Sequence, residues 1–303
     1  MSTVSEPSGV LIVNKHGGVT SHDIVFKIRR LFGTKKVGHT GTLDPMATGV
    51  LVVLVGRAAK AAEYLVSDRK RYSATLKLGI TTDTEDTTGE ILTKSDAIPT
   101  AGEVISAAES FLGECEQIPP MYSALKVGGK KLCDLARQGV TVEREARRIT
   151  IHAIKCEPTE ERDVFSLDVI CSSGTYIRTL CADIGKKLGC GGAMASLDRT
   201  ETGGFSIAQA KSIAELEAMS EAERYSLLIP TESLFVTLPE VKLPEFYEKL
   251  SRSGCEIYQK KIGTHHAPGE RVRLSGKGGF FALGEVREYE GGTAIKSIKL
   301  FDI

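Results

Sequence analysis

The chain predicts an α+β fold: a first domain of sheet and helices that carries a basic insertion, followed by a small β-rich module. Three observations predict it. Apolar residues alternate with polar ones at period two through residues 71–79, 149–156 and 164–171, the pattern of half-buried strands. Around those runs, apolar residues fall at helical spacing near 21–31, 102–112 and 179–188. Beyond residues 230–239 the composition shifts to short apolar runs punctuated by glycines 263, 269, 276, 278 and 279. A chain of 303 residues suits about two domains. The shift sets their bounds at 8–235, with the insertion at about 121–148, and at 238–303.

In chain order, residues 10–13 form a short apolar, β-rich run and read as a strand. Ser21 can cap the helix that follows, in which Ile24, Val25, Ile28 and Leu31 share a face, and Gly33 ends it. Residues 35–48 are a polar, glycine-punctuated loop and 49–55 a buried strand. Residues 58–64 read as helical, and 71–79 as a strand through Tyr72, Ala74, Leu76 and Leu78. Residues 81–89 are an acidic, Thr-rich loop or hairpin. An amphipathic helix is expected over 102–112. Ile118-Pro119-Pro120 then breaks the pattern and opens the insertion, rich in Lys, Arg and Gly, with a short helix at Leu132, Leu135 and Ala136. Strands at 149–156 and 164–171 lead to a helix over 179–188. Residues from 206 onward and 221–228 read as helical, and the last module opens with a helix candidate at 244–253.

Formal net charge is zero, with 39 Lys and Arg against 39 Asp and Glu. A whole-chain basic excess is therefore missing, and any nucleic-acid binding has to rest on segregation of charge onto one face. Seven Cys, an odd number, with no CxxC pair argue against a disulfide framework and a zinc ribbon, and for reduced thiols. Residues 1–9 lack the apolar core of a signal peptide, and the longest apolar run, 49–55, is far too short to span a bilayer. The expectation is a cytoplasmic protein with no membrane partner and no metal.

The most informative stretch is Gly38-His39-Thr40-Gly41-Thr42-Leu43-Asp44-Pro45-Met46-Ala47-Thr48-Gly49. Its glycines let the backbone turn tightly and approach a ligand. No Gly-Lys-Ser/Thr follows, which excludes a Walker A loop, and the glycine spacing does not fit a dinucleotide-binding fingerprint. Pro45 fixes its own φ and pushes Asp44 toward extended geometry, so the carboxylate is held rigidly. On local spacing alone, capping the following turn is the commoner role for the Asp of an Asp-Pro pair. A nucleophilic or proton-abstracting carboxylate is the alternative.

This stretch resembles the active-site motif of bacterial tRNA pseudouridine-55 synthases. Further blocks match in family order over about residues 11–205. Val13-Asn14-Lys15 with Gly18-Val19-Thr20-Ser21-His22-Asp23 resembles the N-terminal block, departing from it at His16, where the family usually has Pro. Lys70-Arg71-Tyr72 with Leu78-Gly79 resembles the second motif. Pro119-Pro120-Met121-Tyr122-Ser123-Ala124-Leu125-Lys126, continuing Gly128-Gly129-Lys130-Lys131-Leu132, resembles the RNA-gripping insertion. Ser173-Gly174-Thr175-Tyr176-Ile177-Arg178-Thr179-Leu180 and Leu197-Asp198-Arg199-Thr200 resemble the last two motifs.

The resemblance implies a pseudouridine-synthase-type mixed, largely antiparallel sheet flanked by helices. It also implies a small C-terminal β-barrel RNA-binding domain of the PUA type, on the likeness of Gly269-Glu270-Arg271-Val272 and Phe280-Phe281-Ala282-Leu283-Gly284. The implied reaction breaks the N1–C1′ bond of a uridine, turns the base and rejoins it through C5. Bond order and redox state balance, so no cofactor is expected. Asp44 is implied as the catalytic carboxylate, acting near C1′ as glycosidase carboxylates do. Arg178, two residues after Tyr176 and so on the same face of a strand, would pair with Asp44 and aim it. A surface arginine in a weak ion pair is the plainer alternative.

A target base inside a folded RNA loop has to be flipped out. Tyr72 would stack on it, a contact worth about 1–3 kcal/mol, and its hydroxyl would serve when the C5 proton leaves. Tyr176 would line the pocket, Leu197 would give it an apolar wall, and His39 would hold or displace bases. Taken alone, each tyrosine reads equally well as packed core, and so does the leucine. Grip on phosphates would come from Lys15, Lys126, Lys130, Lys131, Arg147 and Arg148, with Arg137 and Arg144, partly offset by Glu143 and Glu145. The implied partner is tRNA through its T-stem-loop, bound by a monomer with no obligate protein partner. A non-enzymatic RNA-binding or tRNA-folding protein would need the insertion and the last module but not Asp44.

Overall fold

The computed structural model describes residues 6–65, 69–123 and 125–301. A ten-stranded sheet forms the body. Its main path runs Lys211–Ser212, Gly9–Lys15, Thr48–Val55, Gly192–Thr202, Lys70–Leu78, Val164–Cys171, Arg147–Pro158 and Gly113–Gln117, with Val37–His39 and Phe205–Ser206 paired at its side. Neighbours along the path are antiparallel except at two joints. Gly9–Lys15 runs parallel to Lys211–Ser212, and Thr48–Val55 runs parallel to Gly192–Thr202.

Thr48–Val55 shows why the sheet sits in the middle of the molecule. From Val50 to Val55 it has no polar side chain, as a strand covered on both faces requires. Leu51, Val53 and Val55 enter one apolar cluster, and Val50, Val52 and Leu54 enter another on the opposite face. The helices Ser21–Leu31, Ala101–Glu109 and Ile177–Lys187 close the first face with Ile24, Val25 and Ile28, with Val104 and Ala108, and with Leu180, Cys181 and Ile184. At about 1.5–3 kcal/mol for each fully buried large side chain, this layer supplies the main drive to fold.

Thr20, not Ser21, caps the first helix. Thr20 Oγ1 accepts from the Asp23 amide while the Asp23 carboxylate accepts from the Thr20 amide, a reciprocal box. Ser21 is thereby free to hold the Asp44 loop: its Oγ accepts from Leu43 N at 2.8 Å and donates to Leu43 O at 3.1 Å. Residues 58–64 lie in a 3-10 helix, Gly56–Tyr64. The acidic stretch forms the hairpin Ile80–Thr82 with Ile91–Lys94.

The helix expected from 179 starts at Ile177, which puts Arg178 in its first turn rather than on a strand beside Tyr176. Its seat is fixed by Gly185, where a Cβ would come within 2.1 Å of the Gly192 amide nitrogen. Only a glycine lets this helix lie so close to the strand Gly192–Thr202.

The insertion contains a hairpin of two-residue strands, Lys126–Val127 and Lys130–Lys131, and the short helix Leu132–Ala136. The C-terminal module is a five-stranded sheet in the order Glu240–Lys242, Arg271–Gly276, Gly279–Tyr289, Gly292–Leu300 and Ile257–Tyr258. Among the described residues the module is a sheet curled into a half-barrel. It has its own core of Val241, Val272, Leu274, Phe281, Val286 and Ile295. Leu283 and Phe301 leave that core and pack with Phe235 against Val10, Val50 and Val52 on the second face of the large sheet. All seven cysteines are free.

Candidate active site

Asp44 sits in the loop that enters Thr48–Val55. The loop turns through its backbone: the Asp44 carbonyl accepts from Ala47 N at 3.1 Å. The capping role is thus carried by the main chain, and the carboxylate is free for another partner. That partner is Arg178. Its Nε donates to Asp44 Oδ2 at 2.8 Å and its Nη2 to Oδ1 at 3.2 Å, a bidentate pair.

Arg178 is itself only 4% exposed, while the Asp44 side chain is 33% exposed. The arginine is completed by two carbonyls, Thr84 O at 3.0 Å and Tyr122 O at 2.9 Å. The buried Asp86 carboxylate stands 3.9 Å from Nη1. A guanidinium with its donors engaged on both forks cannot swing, so it presents the carboxylate in one direction. The exposed part of that carboxylate faces a cavity of about 700 Å³.

Tyr72, Tyr176 and Leu197 line the same cavity. Tyr72 and Leu197 come from adjacent antiparallel strands, and Tyr176 immediately precedes the Arg178 helix. Burial pushes both phenols above their ordinary range, and the charge of Arg199 pulls Tyr72 back. The peptide of Tyr176 is clamped by one buried side chain. Gln117 Nε2 donates to Tyr176 O at 3.0 Å, and Gln117 Oε1 accepts from Tyr176 N at 2.8 Å.

Two expected residues are placed elsewhere. Lys15 is fully buried, and its ammonium donates to the carbonyls of His16, Val19 and Pro45 at 2.8–3.1 Å. It braces the Asp44 loop from beneath and cannot reach a phosphate. Burial pulls its pKa down to about 8, against the opposing charge of Asp44. His39 lies on the side strand Val37–His39 and is absent from the cavity lining, where the exposed His22 stands instead.

The remaining cations divide. Lys126, Lys130, Lys131, Arg147 and Arg148 are exposed, and Lys131 and Arg137 reach the cavity rim. Arg144 is tethered to Pro119 O at 3.0 Å.

Sequence reasoning missed three residues that build the site. Lys70 lines the cavity, Gln117 clamps Tyr176, and Arg199 sits under the Asp44 loop. A period-two signal was present for two of them: Lys70 is two residues before Tyr72, and Arg199 two after Leu197, so each shares a strand face with a cavity residue.

Comparison with known proteins identifies the family. The N-terminal domain of the TruB family pseudouridylate synthases matches residues 29–177, and the C-terminal domain of tRNA pseudouridylate synthase B matches residues 178–236. The tRNA pseudouridine synthase B of Alkaliphilus oremlandii is 45% identical over 283 residues, which cover 92% of this chain and 93% of that one. That of Clostridium kluyveri is 42% identical over 97% and 99% of the two chains. Among solved structures, a chain of a Cbf5-Nop10-Gar1 complex superposes with a TM-score of 0.72 at 25% identity, over 97% of this chain and 84% of that one. On these matches the chain belongs to the TruB family of pseudouridylate synthases.

Proposed function

We propose that the protein converts uridine 55 in the T-loop of tRNA to pseudouridine, with Asp44 as the reacting carboxylate. Formation of pseudouridine in tRNA is supported by the names of its full-length relatives. The role of Asp44 is carried by one observation: its carboxylate, locked by Arg178, is presented to a cavity bounded by Tyr72, Tyr176 and Leu197. The cavity volume falls in the range that encloses small-molecule ligands, roughly 300–1,000 Å³, so an extruded nucleotide fits.

In the reaction the N1–C1′ bond breaks, the base turns, C5 bonds to C1′, and the C5 proton is lost. Asp44 either adds to C1′ or removes the 2′ proton to give a glycal. Deuterium at C2′ separates the two routes: a primary isotope effect assigns proton removal, and its absence assigns addition at C1′. Tyr72 stacks on the flipped base.

Lys126, Lys130, Lys131, Arg147 and Arg148 hold the tRNA backbone. Residues 8–235 act as the catalytic unit, and 238–303 as a PUA-like RNA-binding unit. The protein works as a cytoplasmic monomer; among the described residues no helix is long and apolar enough to cross a membrane.

The test is incubation of the protein with an unmodified tRNA transcript, followed by mapping of pseudouridine. Wild type is expected to modify the T-loop uridine. Asp44→Asn is expected to bind the transcript, melt normally and modify nothing. Modification by Asp44→Asn at the wild-type rate would remove Asp44 from the chemistry, and product at another uridine would reassign the target. The exposed cations of the insertion also favour a tRNA-folding role alongside catalysis, which a refolding assay with Asp44→Asn measures directly.

A further inference from the structure

Arg199 is a deeply buried charge beside the site, and the chemistry above leaves it unused. It is 1% exposed. Its Nε donates to Val50 O at 2.8 Å, its Nη2 to Gly41 O at 3.0 Å and its Nη1 to Thr42 O at 3.4 Å. Directly opposite it on the neighbouring antiparallel strand stands Tyr72. On its other flank Arg199 pairs with Gly49, just past the Asp44 loop. One side chain on a central strand thus grips the turn that leads into Asp44 while standing across the strand pair from Tyr72.

A buried guanidinium stays charged, and burying it is costly unless it is well partnered. Here the partners are three carbonyls rather than a carboxylate. Its field is therefore left to act on its neighbours. Lys70 and His39 are both held below their ordinary range, first by burial and then by Arg199.

We propose that Arg199 is a positioning residue for the isomerisation, fixing the turn that presents Asp44 and orienting the Tyr72 oxygen to receive the C5 proton. The inference rests on the roles of Asp44 and Tyr72 given above. In the final step the phenolate of Tyr72 takes the proton from C5, the C5–H electron pair re-forms the C5–C6 double bond, and the N1–C6 π pair returns to N1, which takes a proton from water. The resulting phenol then passes its proton to water. A cation beside that oxygen favours the phenolate. The groups facing the phenol are Arg199 from Gly192–Thr202, Cys171 from Val164–Cys171 and Asp44 from the loop. Burial, Cys171 and Asp44 push the phenol up, and Arg199 pulls it down.

A double-mutant cycle with Arg199→Lys and Tyr72→Phe tests this, read by single-turnover rates across pH and by tRNA affinity. Arg199→Lys is expected to slow isomerisation by about 10²-fold at unchanged tRNA affinity, and to move the rise of rate with pH to higher pH. In the Tyr72→Phe background the same change is expected to cost clearly less, because the two act as a unit. If Arg199→Lys melts below the assay temperature, Arg199→Gln, which keeps a donor toward Gly41, takes its place in the cycle. Losses that multiply, or a loss confined to tRNA affinity, overturn the inference while leaving the roles of Asp44 and Tyr72 standing. Wild-type turnover by Tyr72→Phe overturns both the Tyr72 reading and this one.

Discussion

The cavity has two walls built on opposite terms. One wall is sheet and helix. It offers Asp44, Tyr72, Arg178 and Leu197, and Arg178 and Leu197 are under a tenth exposed. The other wall is the insertion, where Lys126, Lys130 and Lys131 stand exposed on strands of two residues. The first wall spends folding free energy to hold atoms in place, as bond-making requires. The second keeps its cations in water, where a charge costs little and can follow a phosphate backbone. The walls meet where Arg178 Nη2 donates to the carbonyl of Tyr122.

Four substitutions break or sharpen this contrast. The largest effect is expected on the rigid wall. Asp44→Asn keeps the volume and an acceptor for Arg178, so stability should hold while single-turnover isomerisation falls by more than about 10³-fold. Arg178→Met should be nearly as damaging and also unfold more easily. It strips the carbonyls of Thr84 and Tyr122, as well as Asp44, of their partner, at an expected cost of about 2–4 kcal/mol in urea unfolding. A stable Arg178→Met enzyme would mean that the first wall is not held by its ion pair.

On the second wall, the triple change of Lys126, Lys130 and Lys131 to Ala should leave turnover at saturating tRNA intact. Affinity should drop by about 10-fold, and the logarithmic salt dependence should lose about two units of slope. Filter binding at several KCl concentrations reads both. A fall in saturated turnover instead would show that the insertion shapes the reacting geometry.

The smallest effect concerns Glu85, which adopts a left-handed backbone, φ 63°, on the far side of Arg178. Its carboxylate accepts from Thr179 Oγ1 at 2.5 Å. Burial, with Asp183 adding to it, raises its pKa. A carboxyl whose folded pKa is raised binds its proton better in the folded state. Its favourable contribution is complete below the ordinary value near 4.5 and is lost as pH rises through the folded pKa. Glu85→Gln should therefore raise the melting temperature by about 2 °C at pH 7, and the gain should vanish at pH 4. An equal gain at both pH values would assign it to packing.

The same contrast governs what could be read from the sequence. The Asp44 loop, Tyr72 and Leu197 were legible because each lies in a motif whose residue types restrict the chemistry. The pairing of Arg178 with Asp44 was anticipated, but on a strand. Its side chain instead leaves the first turn of a helix, and spacing by two says nothing there. Lys15 was misjudged because a lysine in a polar block looks solvated, whereas three carbonyls from two loops, far apart in sequence from each other, converge on it. Arg199 failed the same way: a buried cation reveals itself only when the chain closes around it. Ser21 could have been corrected from sequence, since Thr20 with Asp23 three residues later is the stronger capping pair.

Leu283 and Phe301 belong to the curled C-terminal sheet, yet they help cover the back of the large one. Neither piece can be released without wetting a greasy layer on the other. Limited proteolysis between them should yield a nicked protein that elutes as one body, and a gene truncated after position 237 should give inclusion bodies. The module is thus at once a unit with its own core and part of the cover of the large sheet.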